Sequence, residues 1–217
     1  MSKRETLEQE IETKFDVPIE TDESKLILAV ANISAANGWR LSRTNFETLQ
    51  FQYYDTPELL VYSDGETIRR VSGFPSSSRP KGTHRYDFKL GPIDNRFERN
   101  HWSDQLYTPQ EMLEKVASGC SYQNIIPSAF ANTKHLKMYF ERQGTTVEST
   151  HDLFDVQDGT PFKELELELK EGNRKDLEEI AEQVRTGLGL ITINTQKYSR
   201  VIEGMPKYAE VIKKYGR

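Results

Sequence analysis

Polar and apolar residues alternate along several stretches of the chain with the two-residue period of a β-strand. In Glu164-Leu165-Glu166-Leu167-Glu168-Leu169-Lys170, three glutamates form one row and three leucines form the opposite row. Successive side chains of a strand point to opposite faces of its sheet, so this strand has a charged face and an apolar face. The same division recurs in residues 10–15, 85–90, 96–100 and 135–140.

The whole pattern predicts many strands and few helices. Strands are predicted near 8–17, 47–54, 66–72, 83–90, 95–102, 134–142, 146–155, 163–170 and 196–203. Helices are predicted over 25–37, from Thr108-Pro109 to about residue 119, over 173–188 and over 206–215. The Pro- and Ser-rich segment 75–82 predicts a loop between two strands. This order favours a β-dominated α+β fold with an antiparallel sheet that is closed or nearly closed.

The charged faces have two interpretations. They can be solvated, which is the usual state of one face of an antiparallel sheet. They can also line the lumen of a barrel whose apolar outer face is covered by helices. In such a lumen, two glutamates ~6 Å apart repel by about 3 kcal/mol at an effective dielectric constant of about 20. Divalent cations would then be needed by the carboxylates, and an anion with many oxygens by the Arg and Lys residues.

Charge and composition limit the classes of binding partner to be expected. The 217 residues contain 29 basic and 34 acidic side chains, giving a net charge of −5. General nucleic-acid binding usually needs a basic excess, so we expect a small anionic partner instead. No apolar run is long enough to cross a membrane, the N-terminus has no signal-peptide pattern, and Cys120 is the single cysteine. We therefore expect one cytoplasmic domain over residues 1–217, with a homodimer left open.

A series of motifs in fixed order resembles one known superfamily. Glu10-Ile11-Glu12-Thr13-Lys14 matches the E-x-E-x-K signature of the CYTH superfamily, the triphosphate tunnel metalloenzymes. Further matches are 54–60 (Y-x-D-T-P), 65–69, 86–89, 96–98 (R-x-E), 164–168 (E-x-E) and 196–200 (the closing lysine motif). Together they span about residues 8–203, nearly the whole chain.

The resemblance implies an eight-stranded antiparallel tunnel, with helices packed outside, that binds a triphosphate and one or two Mg or Mn ions. By this resemblance the triphosphate ligands are Lys14, Arg69, Lys89, Arg96, Lys137, Lys197 and Arg200. The implied metal ligands are Glu10, Glu12, Asp152, Glu164, Glu166 and Glu168, and the implied catalytic residues are Glu10, Glu12 and Lys14. Arg200 could equally face solvent.

The chain departs from the family pattern at three positions. Val71 replaces a second arginine, Asp87 replaces a threonine, and Asn100 stands where a glutamate is frequent. On the 134–142 strand the basic ligand is Lys134 or Lys137, and the alternation favours Lys137.

The resemblance leaves three functions open. The first is metal-dependent hydrolysis of inorganic tripolyphosphate or a small organic triphosphate. The alternatives are a class IV-type adenylate cyclase, which makes cyclic AMP from ATP, and a module that binds polyphosphate without turnover. A zinc site is not expected, because the four histidines are scattered without ligand spacing.

Overall fold

The computed structural model describes residues 8–73, 83–91 and 96–214, so the loop predicted over 75–82 lies outside the described residues. The strands are β1 (Glu8–Glu10), β2 (Glu12–Val17), β3 (Arg40–Asp55), β4 (Thr67–Ser72), β5 (His84–Leu90), β6 (Arg96–Ser103), β7 (Ile126–Arg142), β8 (Thr145–Val156), β9 (Phe162–Glu171) and β10 (Ile191–Ile193). The helices are α1 (Glu23–Ala36), α2 (Leu60–Ser63), α3 (Pro109–Val116), α4 (Arg174–Leu188), α5 (Lys197–Glu203) and α6 (Ala209–Lys214), with a 3₁₀ turn at Pro206–Tyr208.

The strands form one antiparallel sheet in the order β1-β6-β5-β4-β3-β7-β8-β9-β2-β10. The predicted β-dominated α+β class is confirmed. The predicted eight-stranded closed barrel is not found among the described residues, which form a curled ten-stranded sheet. The physical reason is a break at Ile11: β1 pairs with β6, whereas β2 pairs with β9. One residue therefore links the two sides of the curl.

Two apolar clusters cover the outer face of the curled sheet and fill part of its inside. In one of them, α1 and α4 pack on β2, β7, β8 and β9 through residues such as Val30, Ile180 and Val184. Leu165 and Leu167 are fully buried in this cluster and Leu169 packs at its edge. The leucine row of β9 thus lies beneath helices, as predicted. No helix in the described part of the chain is both long and apolar enough to span a bilayer.

The strand predicted over 196–203 is wrong, because this segment is helix α5. Tyr198, Val201 and Ile202 are buried, and their spacing of three and four residues places them on one helical face. Tyr198 stacks on Tyr53 of β3, with ring centroids 5.0 Å apart, and donates a hydrogen bond of 2.8 Å to Asp55. Helix α5 is therefore packed against the interior of the curl, and its first residue, Lys197, reaches the charged face.

Asp55 explains one of the sequence motifs in structural terms. Its carboxylate accepts hydrogen bonds from the backbone N–H groups of Thr56, Val61 and Tyr62 at 2.7–2.9 Å. These bonds satisfy donors at the start of α2 that would otherwise be unpaired. The Y-x-D-T-P pattern of this chain is thus a turn that holds α2 and α5 against β3.

Candidate functional site

The concave face of the sheet encloses a cavity of about 210 Å³. Strand alternation turns one row from each neighbouring strand into this space, because β2, β8 and β9 pair in a register that sets Lys14 beside Glu166 and Glu166 beside Thr150. The lining residues of both charges include Glu10, Glu12, Lys14, Arg69, Lys89, Arg96, Glu98, His135, Lys137, Glu148, Glu166, Glu168 and Lys197. The charged faces therefore line an interior, and the solvated-face interpretation is wrong for these strands.

The structure places the predicted site residues at three depths. Ten of them line the cavity wall: Glu10, Glu12, Lys14, Arg69, Lys89, Arg96, Lys137, Glu166, Glu168 and Lys197. Asp152 and Glu164 are almost fully buried and lie behind the ammonium of Lys197. Arg200 does not line the cavity, because it pairs with Asp16 at 2.6 Å and with Glu164 at 3.2 Å. Lys137 lines the wall, whereas Lys134 is exposed.

Three carboxylates converge at one side of the cavity, and we call Asp152, Glu164, Glu166 and Lys197 the Lys197 cluster. One oxygen from each carboxylate lies within 4.8 Å of the others. Lys197 Nζ lies 2.7 Å from Asp152 Oδ2, 3.3 Å from Glu164 Oε1 and 2.5 Å from Glu166 Oε2. Converging carboxylate oxygens are the donors that Mg²⁺ and Mn²⁺ prefer. The residues present therefore fit a divalent ion.

Burial and charge act in opposition in the Lys197 cluster. Burial raises the pKa of Glu164 to about 7, against the attraction of Lys197. Burial also opposes ionisation of Asp152, yet Lys197 and His135 outweigh it and hold the pKa of Asp152 below its usual range. The pKa of Lys197 is raised well above its usual range, because the three carboxylates outweigh its burial. Lys197 is thus a buried cation at neutral pH.

A second group of charges comes from β1, β5 and β6, and we call Glu10, Lys89 and Glu98 the Lys89 cluster. Lys89 Nζ lies 2.7 Å from Glu10 Oε1 and 3.4 Å from Glu98 Oε2. Burial raises the pKa of Glu98 to about 8, with a further contribution from Glu10. Burial opposes ionisation of Glu10 as well, but Lys89 holds the pKa of Glu10 below its usual range. This cluster therefore carries one ionised carboxylate and one that holds a proton near neutrality.

Arg96 is a buried cation of the wall whose hydrogen-bond donors the described residues satisfy only in part. Its side chain is 3 % exposed, and its one ion pair joins Nη1 to Glu12 Oε1 over 3.4 Å. Nε and Nη2 are buried and have no hydrogen-bond acceptor within the described ranges. A buried donor without an acceptor costs roughly 1–3 kcal/mol. The guanidinium is therefore positioned to gain from an anion in the cavity.

Arg69 of β4 and Arg85 of β5 differ from Arg96, because both are paired with Asp87. Asp87 is fully buried and accepts from Arg69 Nε at 2.7 Å and from Arg85 at 2.8 and 3.0 Å. Asn100, oriented to satisfy its neighbours, has its amide nitrogen 2.7 Å from Asp87 Oδ1. The substitution of Asp87 for the expected threonine thus fixes two arginines in place. Val71, which replaces the second arginine, is buried in the apolar cluster.

Sequence reasoning missed several wall residues. His135 was set aside with the other histidines, yet its Nδ1 lies 2.5 Å from Asp152 Oδ1 and its ring lines the cavity. Glu148 was also missed, and it pairs with Lys137 at 3.0 Å. Strand alternation could have found both, because His135 is two residues from Lys137 and Glu148 is four residues from Asp152.

The six predicted metal ligands fall into two groups, one that converges on a single point and one whose members pair with separate basic residues. Asp152, Glu164 and Glu166 converge as described. Glu12 pairs with Lys14 at 3.3 Å and with Arg96, and Glu168 pairs with Lys170 at 2.7 Å. Glu10 belongs to the Lys89 cluster. The structure thus brings three of the six together and holds the other three against cations of the wall.

No protein-family model matches the sequence, and no curated protein matches it either. Solved structures do match the fold. HpAC1 from Hippeastrum, a proposed adenylyl cyclase with a dominant triphosphatase activity, superposes with a TM-score of 0.56 at 12% identity, over 90% of this chain and 96% of that chain. The PH1819 protein of Pyrococcus horikoshii gives 0.54 at 15% identity, over 89% and 98%. A proposed adenylate cyclase from Bacillus halodurans gives 0.52 at 12%, over 88% and 95%.

At these identities the likeness concerns the fold. The chain shares the fold of these solved structures.

Proposed function

We propose that this protein is a divalent-metal-dependent hydrolase of a small triphosphate, inorganic tripolyphosphate or a small organic triphosphate. The observation that carries the proposal is that two kinds of site meet at one cavity. The three carboxylates of the Lys197 cluster converge at its wall through Glu166, and Arg96, which lines the same wall, has Nε and Nη2 without an acceptor in the described structure. A cation site and an anion site at one cavity fit a metal-bound polyphosphate. The triphosphatase activity of HpAC1, which has the same fold, agrees with this proposal.

The size of the cavity favours the phosphate chain over a nucleotide. Pockets for drug-sized ligands usually measure roughly 300–1,000 Å³, whereas this cavity measures about 210 Å³. The apolar wall residues are few, with Leu49 and Phe51 among them, so the described part of the wall offers little surface for a base. These features argue for tripolyphosphate as the substrate and against the adenylate cyclase alternative.

The residues have separate tasks in this mechanism. Asp152, Glu164 and Glu166 would hold the divalent ion, which when bound supplies charge neutralisation at the phosphate oxygens. Arg96, Lys14 and Lys137 would bind the phosphate chain through charge-assisted hydrogen bonds. The resemblance implies Glu10, Glu12 and Lys14 as the catalytic residues, and all three line the cavity. Lys14 and Arg96 are almost fully buried, and low exposure to water strengthens their charge interactions.

Phosphate release tests the proposal directly. Purified protein is incubated with tripolyphosphate or ATP, each with Mg²⁺, Mn²⁺ or EDTA, and phosphate and cyclic AMP are measured together. We expect metal-dependent phosphate release, with tripolyphosphate the better substrate. Cyclic AMP from ATP would instead support the cyclase, and tight binding without any product would support a binding module.

A variant pair links the activity to the cavity. Arg96→Ala should weaken tripolyphosphate binding by roughly 1.5–3 kcal/mol, the scale for a hydrogen bond to a charged group. Arg174→Ala is the control, because Arg174 is exposed on α4 and pairs with Glu178 on the same helix. Unchanged affinity in Arg96→Ala, measured by calorimetry, would remove the anion site from the proposal.

A further inference from the structure

The ammonium of Lys197 occupies the point at which the three carboxylates of its cluster converge. Its contacts of 2.5–3.3 Å reach all three acidic side chains, from β8 and β9. The same three side chains are the group of potential ligands identified above. Lys197 therefore lies where a shared cation would lie, and it is itself a cation.

The ammonium is an incomplete partner for this site. Lys197 Nζ donates one well-directed hydrogen bond, to Glu166 Oε2 at 2.5 Å. Asp152 Oδ2 and Glu164 Oε1 are buried and have no donor of suitable geometry in the described structure. An ammonium has three directed donors, whereas a hard divalent ion binds carboxylate oxygens from many directions. A divalent ion would thus satisfy oxygens that Lys197 leaves unsatisfied.

The Lys197 side chain can reach a second position, in the cavity. It is the first residue of α5 and its side chain also lines the cavity. Its stem is a flexible chain of four carbons with an unbranched path from the helix. Rotation of this stem would carry the ammonium from the carboxylates toward the open space, in which the proposed phosphate chain would lie. Simultaneous occupancy is disfavoured, because two cations a few ångströms apart repel strongly in a buried site.

We propose that Lys197 is an internal competitor of the divalent ion, which it excludes from the three carboxylates until the ion displaces it toward the phosphate chain. This proposal rests on the proposed function, since it assigns the same metal site. Lys197 then binds either the carboxylates or the phosphate, but not both. Metal binding frees Lys197 to bind phosphate. The divalent ion and the triphosphate therefore each raise the protein's affinity for the other, and this coupling is reciprocal.

Metal binding without any phosphate compound separates this role from ordinary charge effects. Mn²⁺ affinity is measured by EPR on the intact protein, on Lys197→Met and on Lys137→Met. Lys137 is the matched control, because it lines the same cavity and pairs with Glu148 alone among the acidic residues described. We expect Lys197→Met to bind Mn²⁺ at least tenfold more tightly than the unmodified protein, and Lys137→Met to differ by less than threefold.

A second measurement avoids any variant that folds poorly. Side-chain ammonium signals of the ¹⁵N-lysine-labelled unmodified protein are followed while Mg²⁺, which is diamagnetic, is added. The signal assigned to Lys197 should shift and exchange faster with water, whereas the Lys137 signal stays within its line width. Imidotriphosphate, which resists hydrolysis, should tighten Mn²⁺ binding in the unmodified protein by a larger factor than in Lys197→Met.

The outcomes distinguish the two proposals. Equal Mn²⁺ affinity in the unmodified protein and Lys197→Met overturns the competitor role and leaves the metal site standing. If Lys197→Met and Lys137→Met both bind Mn²⁺ more tightly than the unmodified protein by the same factor, the competitor role is also overturned. Removal of any positive charge from the cavity would then explain the gain in Mn²⁺ affinity. If Mg²⁺ saturates the protein without moving the Lys197 signal, the displacement is contradicted. If neither the unmodified protein nor Lys197→Met binds Mn²⁺, with or without imidotriphosphate, the proposed function itself fails.

Discussion

The Lys197 and Lys89 clusters use the same components in different numbers. In the Lys197 cluster three carboxylates surround one ammonium, whereas in the Lys89 cluster two carboxylates do so. The third carboxylate makes the first cluster able to hold a divalent ion, since its oxygens converge within 4.8 Å. In the second cluster the excess negative charge is removed by a proton, because the pKa of Glu98 is raised to about 8. The pKa of Glu164 is raised to about 7, so at neutral pH the proton is held more firmly in the Lys89 cluster than in the Lys197 cluster.

Removing the lysine from each cluster should have unequal effects on stability. Lys197→Met leaves three buried carboxylates without their shared cation, and breaking a buried ion pair costs about 3–5 kcal/mol. Lys89→Met should cost less, about 1–3 kcal/mol, because Glu98 can keep a proton. Urea unfolding at pH 7 in EDTA measures both. A larger loss in Lys89→Met would contradict the comparison, and Mn²⁺ should restore part of the loss in Lys197→Met alone.

Removing a carboxylate from each cluster tests which one holds metal. Glu166→Gln keeps the size of the side chain and removes a proposed ligand, so Mn²⁺ affinity should fall by at least roughly 100-fold, beyond the usual effect of an outer-shell change. Glu10→Gln should change Mn²⁺ affinity by less than about tenfold, because Glu10 pairs with Lys89 at 2.7 Å. Titration with Mn²⁺ measures both variants. Equal losses would place Glu10 in the metal site, as the sequence motif alone implied.

The phosphate ligands offer a third comparison, because the resemblance implies Lys89 as a phosphate ligand whereas the structure pairs it with Glu10 and Glu98. If Lys89 exchanges its carboxylate partners for phosphate, Lys89→Ala should weaken triphosphate binding by roughly 1.5–3 kcal/mol. A monophosphate reaches fewer of the basic residues and should bind far more weakly to the unmodified protein. Calorimetry with both ligands measures these effects. No loss in Lys89→Ala would restrict Lys89 to neutralising Glu10 and Glu98.

Alternation along the strands was sufficient to predict which side chains face the interior. The row of Glu164, Glu166 and Glu168 and the opposite row of leucines came directly from the two-residue period, which depends on local geometry. The same rule separated Lys137 from Lys134. It did not reveal which charges meet, since Lys89 and Glu10 are 79 residues apart and are joined by the pairing of β5, β6 and β1.

The errors have equally specific causes. Residues 196–203 were predicted as a strand because no helix signal was recognised there, although their buried positions have helical spacing. The closed eight-stranded barrel was wrong because the N-terminal strand changes partner at Ile11. A change of partner depends on the curvature of the whole sheet. The pattern of one short segment carries no signal for it.

The smallest expected difference between the two clusters is in how the free energy of unfolding changes with pH. A carboxyl group whose folded pKa is raised binds more protons in the folded state than in the unfolded state between the two pKa values. Stability from that group is full below about 4.5 and is lost as pH rises through the folded pKa. For Glu98 the window extends from about 4.5 to about 8, and for Glu164 it ends near 7. The loss per group is at most about 1.4 kcal/mol per pH unit.

Between pH 7 and 8 the slope should therefore come mainly from Glu98. Urea unfolding in EDTA across pH 5–9 should show a shallower decline in Glu98→Gln over this interval, by up to about 1 kcal/mol. Glu164→Gln should flatten the curve only below about pH 7. Glu10 does not contribute in this range, because its lowered pKa keeps it ionised in both states above about pH 5. Identical curves for the two variants would mean that the carboxylates titrate together, and the Lys89 cluster would then lose its separate role as the part of the wall that holds a proton.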